Sequence, residues 1–138
     1  MRRQLFEDLS TISSAQGIYE IYTQDGQGLK VGISTNLKRR LAHHTASRDS
    51  GLRLIPGGNR ENPCDVQSKS SILAKHLFYD SSLTPDYDLR TQVGRCAFLR
   101  ERCFFIVEYT LTIADARLTE KARELTGGFR YVGKVIRR

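Results

Sequence analysis

The sequence predicts an α+β fold: a small single domain in which a β-hairpin and a core strand form an antiparallel or mixed sheet flanked by three helices. Three observations predict it. Ile18-Tyr19-Glu20-Ile21-Tyr22-Thr23 and Leu29-Lys30-Val31-Gly32-Ile33 are rich in β-branched and aromatic residues, and Asp25-Gly26 between them is a strong hairpin signal. Cys103-Phe104-Phe105-Ile106-Val107-Glu108-Tyr109-Thr110-Leu111 is the best core strand in the chain. The stretches around these strands carry apolar residues at helical spacing.

The elements follow in order. Residues 1 to 15 mix charge with Ser and Thr, have little period and read as a lead-in of about one helical turn. After the hairpin, Ser34-Thr35-Asn36 offers side-chain oxygens that cap free backbone N–H groups. Leu37 and Leu41 then recur at helical spacing among Lys38, Arg39, Arg40, His43 and His44, so a basic helix leaves the hairpin directly. Residues 45 to 66 contain Pro56-Gly57-Gly58-Asn59 and Asn62-Pro63 and read as a loop longer than joining alone requires. Gln67 to Phe78 reads as a second helix with Ile72, Leu73 and Leu77 inward. A polar loop runs through Pro85 to about Thr91. A last helix spans Ile113 to Leu125 and stops at Gly127-Gly128, and Tyr131-Val132-Gly133-Lys134 reads as a strand or tail. Within one domain of residues 1–138 this divides the chain into a hairpin and basic helix (16–46), an insertion (47–100), a core strand and last helix (101–127) and a basic tail (128–138).

At 138 residues the chain can bury a core without disulfide or metal staples. Twenty-two Lys and Arg against fifteen Asp and Glu leave a net charge of +7, a balance that suits a polyanion. No stretch approaches the ~20 apolar residues of a membrane span, and the first residues have no apolar core of the secretory kind. Cys64, Cys96 and Cys103 are odd in number and form no C-x-x-C pair, which argues against a disulfide framework and a zinc site. A reducing cytoplasmic setting is therefore expected.

One constellation points to chemistry. Gly17-Ile18-Tyr19 is followed after ten residues by Lys30-Val31-Gly32, then by Asn36-Leu37, Arg40 and His44. This resembles the GIY-YIG nuclease superfamily over residues 16 to 46, with a weaker likeness to its phage endonuclease II and restriction-enzyme branches extending beyond. Gly17-Ile18-Tyr19 matches the first signature in full. Val31-Gly32 matches the second in part, because Lys30 stands where the family has a Tyr. The resemblance implies a metal-dependent DNA endonuclease. It assigns Tyr19 as general base or proton relay and Arg40 as phosphate clamp, with Lys30 and His44 assisting. It also implies one Mg²⁺ or Mn²⁺ held by a glutamate of the last helix, for which Glu120 is the candidate, and no small-molecule cofactor.

The residue chemistry agrees with those roles. Phosphodiester hydrolysis needs a water that loses its proton and positive charge on the developing phosphorane. The Arg40 guanidinium is a planar fork suited to phosphate oxygens, and His44, one helical turn on, titrates near neutrality. The Tyr19 phenol must be lowered from its usual ~10 to act as a base, and a desolvated Lys30 could lose its proton and serve as one. Glu120 leaves two readings open. It is a metal ligand, or with Glu124 it pairs Arg117 and Lys121 on a wet face, since it points away from a stripe of Leu118, Ala122 and Leu125. The chain also lacks the Asn that many family members carry after that helix, its Asn residues being 36, 59 and 62 alone. Lys38, Arg39, Arg48 and Lys69 are candidates for binding DNA through phosphates. Without a separate DNA-binding domain, sequence specificity requires the insertion or a homo-oligomer. The rival expectation is a catalytically degenerate module of the same fold that binds nucleic acid.

Overall fold

Alternation and turn chemistry build the sheet. β1 (Gly17–Thr23) and β2 (Gly28–Ser34) pair antiparallel around the Asp25-Gly26 turn, where Gly26 takes a positive φ of 97°. β5 (Cys103–Tyr109) pairs antiparallel with the other edge of β1, giving the order β2-β1-β5. The computed structural model describes residues 2–68, 71–133 and 135. Among them the fold is α+β with an antiparallel sheet, and no helix is long and apolar enough to cross a membrane.

The chain divides into two compact units, Met1–Ala42 with Leu99–Val132, and His43–Phe98 with Gly133–Arg138. In the first, the strand edges are covered by short segments. Gln4 exchanges two backbone hydrogen bonds with Phe105 of β5. On the opposite edge, Arg130 N–H donates to Gly28 O at 3.0 Å and Tyr131 N–H to Leu29 O at 2.8 Å. Each edge strand is thus capped over one or two of its residues. Cross-strand partners share a face, so Ile18, Glu20 and Val31 lie on one side of the sheet, and Tyr19, Ile21, Lys30 and Gly32 on the other. α4 (Ile113–Leu125), capped by the Thr112 hydroxyl, packs on β1 and β2, with Ala116 against Ile18 and Val31. α1 (Leu37–Ala46) begins where the Asn36 side chain accepts from Arg39 N–H at 3.0 Å, and it buries Leu37 and Leu41.

In the second unit the sequence expectation and the structure differ in three places. The expected loop of residues 45 to 66 contains β3 (Leu52–Leu54), which pairs antiparallel with β4 (Val66–Ser68). Each is three residues long, too short for alternation to stand out. The helix expected from Gln67 starts later, as α2 (Ile72–Tyr79), because Val66–Ser68 is strand and the Ser71 hydroxyl caps Ala74 N–H. A further helix, α3 (Gln92–Arg102), occupies a stretch the sequence leaves unassigned, so the described residues contain four α-helices against the three expected. Arg95, Phe98 and Leu99 form its buried face. The Arg95 guanidinium masks that period by being buried as a hydrogen-bonding group, donating to Leu89 O and to the Asp49 carboxylate at 2.6 Å. Leu52, Val66, Phe78, Tyr79 and Val135 form this unit's own apolar cluster.

Candidate active site

The sheet face that carries Tyr19 is built around a missing side chain. Tyr19 stands directly opposite Gly32 across the hairpin, and its ring folds over that residue. A Cβ on Gly32 would overlap the Tyr19 Cζ and hydroxyl, so the glycine is demanded by the tyrosine. Gly17 answers a similar demand, because a Cβ there would meet the Glu108 carbonyl of β5. Gly32→Ala is therefore expected to cost about 2 kcal/mol in urea unfolding, as overpacking does. In a Tyr19→Leu background the cost should shrink markedly; an equal cost in both backgrounds would show that the ring is not its source.

Four of the residues singled out by sequence lie in the first unit, each within electrostatic range of at least one of the others. Tyr19 is buried, and burial pushes its phenol above the ordinary value. Arg40 opposes that rise with its charge and with a hydrogen bond to the Tyr19 side chain, whereas the Glu120 carboxylate adds to it. Lys30 is 9% exposed, and burial draws its ammonium below the ordinary lysine range. Glu120 and Glu124 pull the other way, and Arg40 reinforces the fall. Glu120 is half-buried and raised by burial first and by Glu124 second, with Lys30 opposing. Arg40 and Glu120 thus each act on both Tyr19 and Lys30.

The expectation for Tyr19 needs a correction of sign. A phenolate base requires a lowered value, and desolvation raises it instead, so Tyr19 holds its proton at neutral pH. Lys30 meets the condition set for it, being desolvated enough to give its proton up more readily than a surface lysine.

The last helix turns the opposite way from its expected stripe. Leu118 and Leu125 are 70% and 87% exposed, and Ala122 is exposed as well. The face toward the sheet is instead Ile113, Ala116, Glu120 and Arg123, at spacings of three or four. Polar residues line it because the sheet offers charged partners there, Glu20 and Glu108. An apolar stripe is a poor guide where the inward face is ionic. Arg123 was passed over for that reason, and Glu124 entered only as a partner of Glu120 on a wet face, although their i, i+4 spacing already placed two carboxylates on one helix edge.

The other candidates fall elsewhere. His44 belongs to the second unit, buried, with Nδ1 2.7 Å from the Ser71 hydroxyl that caps α2. Lys38 and Arg39 are exposed on α1, and Arg48 is exposed in the second unit. Lys69 lies outside the described residues, as do Lys134, Arg137 and Arg138 of the expected basic tail.

Among the described residues no group of three or more His, Cys, Asp or Glu is placed to hold a metal ion. The donor set fits a different kind of site. Glu120 and Glu124 lie one turn apart, and the Glu124 carboxylate raises the affinity of Glu120 for a proton; such a pair favours a hard cation that keeps most of its waters, as Mg²⁺ does, over an all-protein cage. No family model, no curated protein and no solved structure matches the chain.

Proposed function

We propose that the protein is a metal-dependent DNA endonuclease that hydrolyses phosphodiester bonds at the Tyr19–Lys30–Arg40–Glu120 cluster. The observation that supports the reading is the hydrogen bond of the Arg40 guanidinium to the buried Tyr19 phenol, with a desolvated Lys30 and the Glu120 carboxylate in electrostatic range. The resemblance of Gly17-Ile18-Tyr19, Val31-Gly32 and Arg40 to the GIY-YIG superfamily supports it, as does the net charge of +7.

The roles follow from the charge states. Arg40 binds the non-bridging phosphate oxygens and offsets the charge that develops on them. The unprotonated form of Lys30, which burial makes more accessible than in a surface lysine, is the base, and Tyr19 relays to it: the phenol takes the proton of the attacking water as its own passes to the lysine amine. The water oxygen forms the new P–O bond, one bridging P–O bond breaks, and the leaving oxygen takes a proton from solvent. Glu120, with Glu124 one turn on, would hold Mg²⁺ or Mn²⁺. When bound, such an ion supplies positive charge to the scissile phosphate and acidifies water. Exposed Lys38, Arg39 and Arg48 contact backbone phosphates without reading bases. A cytoplasmic location and, for sequence selection, a homo-oligomer belong to the same reading.

The test is incubation of supercoiled plasmid with the purified protein in Mg²⁺, in Mn²⁺ and in EDTA. Nicking or linearisation is expected with either metal and none in EDTA, with large losses in Tyr19→Phe and Glu120→Gln. Retention in Glu120→Gln would move the metal ligand elsewhere. The burial of Tyr19 favours a second reading, a catalytically degenerate module that binds DNA without cutting it. Binding at low salt with no cleavage of single or double strands in any metal would select it.

A further inference from the structure

The first unit contains an ionic network on the sheet face opposite Tyr19. Arg123 of α4 reaches two strands at once, Nη1 donating to Glu20 Oε2 of β1 at 3.0 Å and Nη2 to Glu108 Oε1 of β5 at 2.6 Å. Glu20 is 7% exposed, and its other oxygen accepts from the Tyr22 hydroxyl at 2.6 Å. Burial and that carboxylate push the Tyr22 phenol up to about 12, so it remains a donor throughout the working range. A buried carboxylate satisfied on both oxygens, paired with a forked cation, fixes geometry more tightly than a surface pair.

α4 has little else to set its rotation. Ala116 is its one buried residue among those described, and Leu118 and Leu125 point to solvent. A helix held by one alanine and a few half-buried apolar groups can roll at small cost, whereas two divergent ion pairs on one guanidinium resist rolling. Glu120 lies three residues before Arg123 on the same helix, so any roll that breaks the network also swings Glu120.

We propose that Arg123 is a positioning residue: by pinning α4 to Glu20 and Glu108 it sets the rotation of that helix and so fixes where Glu120 lies. The inference rests on the nuclease reading only for its consequence, that metal binding and cleavage depend on Arg123, and the positioning itself is measured without either.

The primary measurement is the coupling between Lys30→Met and Glu120→Gln in urea unfolding, determined once with Arg123 and once with Arg123→Gln. With Arg123, the two substitutions should depart from additivity by about five-fold in the unfolding constant; with Arg123→Gln, by less than about two-fold. The same coupling in both backgrounds overturns the proposal. Alongside it, the Mn²⁺ concentration for half-maximal plasmid nicking should rise about ten-fold in Arg123→Gln, with the rate at saturating Mn²⁺ within about two-fold of wild type. Arg123→Lys, a single point charge that cannot fork, should fall between. Ala116→Gly, which loosens the same helix without touching the network, should lower stability and leave the Mn²⁺ dependence where it was. If Ala116→Gly shifts the Mn²⁺ dependence as far as Arg123→Gln does, the effect is general loosening and the proposal fails. Loss of coupling in a protein that shows no cleavage would keep the positioning role and overturn the nuclease reading. Metal-dependent cleavage with unchanged coupling would do the reverse.

Discussion

Arg40→Ala should lower plasmid cleavage about 1,000-fold while DNA affinity at fixed salt changes only a few-fold. The two effects separate because Arg40 is one of many cations that face the polyanion but the only guanidinium placed on the Tyr19 hydroxyl among the described residues. Loss of one phosphate contact reduces the salt slope of binding by about one and affects all sequences alike. Loss of a donor aimed at charge that grows in the transition state falls on the rate. A second consequence compounds the first: Arg40 is what holds the Tyr19 phenol down against burial, so its removal raises that phenol further and weakens the relay. Arg40→Lys should restore binding fully and cleavage only in part, because an ammonium replaces the charge and loses the fork. Equal losses of binding and cleavage in Arg40→Ala would assign the residue to the binding surface and remove the clamp from the mechanism.

The cluster was legible because its first strand and helix are governed by local rules. Asp25-Gly26 sets the hairpin, Asn36 caps α1, and Gly127 ends α4 with a positive φ of 82°. Such signals depend on neighbours in sequence, and the bounds of α4 follow from them without knowledge of the sheet. The second unit was harder to read for a physical reason. Its strands are three residues long, and α3 buries an arginine where a period-based reading looks for an apolar residue. Gly94 adds to the difficulty. It weakens helix propensity inside α3, yet it is required there because a Cβ would strike the Asp88 carbonyl.

The rotation of α4 was misread by the same logic from the other side. Leu118, Ala122 and Leu125 form the stripe that hydrophobic burial should select, and they face solvent. The inward face instead pairs Arg123 with two carboxylates, Glu20 on β1 and Glu108 on β5, and neither is a neighbour of Arg123 in sequence. Long-range ionic partners leave no periodic trace. The consequence reaches the candidate site directly: the wet-face reading of Glu120 loses the stripe as its support, while Arg117 and Lys121 still act on that carboxylate beside Lys30.

Lys30→Met should make the protein more stable and less active at once. Burial is the largest influence on Lys30 and draws its ammonium down, so the charged form is worse off folded than unfolded. Between the lowered folded value and the ordinary unfolded one, the unfolded chain binds more protons, so wild-type stability rises with pH through that window. Below it the full cost of burying the charge is present. Methionine fills a similar volume without that charge and should raise stability at neutral pH by about 1 kcal/mol, measured by urea unfolding. The advantage should shrink as pH climbs toward the ordinary lysine range. Glu120 and Glu124 act against this outcome, since each favours the ammonium; they rank below burial among the influences on Lys30. A less stable Lys30→Met at neutral pH would mean that their attraction outweighs desolvation. Cleavage moves the other way, falling at least about 100-fold in Lys30→Met because the relay loses its acceptor. Lys30→Arg should be equally inactive, because its guanidinium keeps its proton. The wild-type rate should rise with pH along a limb set below the ordinary lysine value, and a flat profile would remove Lys30 as the base. Together these signs describe a residue kept at the expense of stability, which is the pattern of a site selected for chemistry over packing.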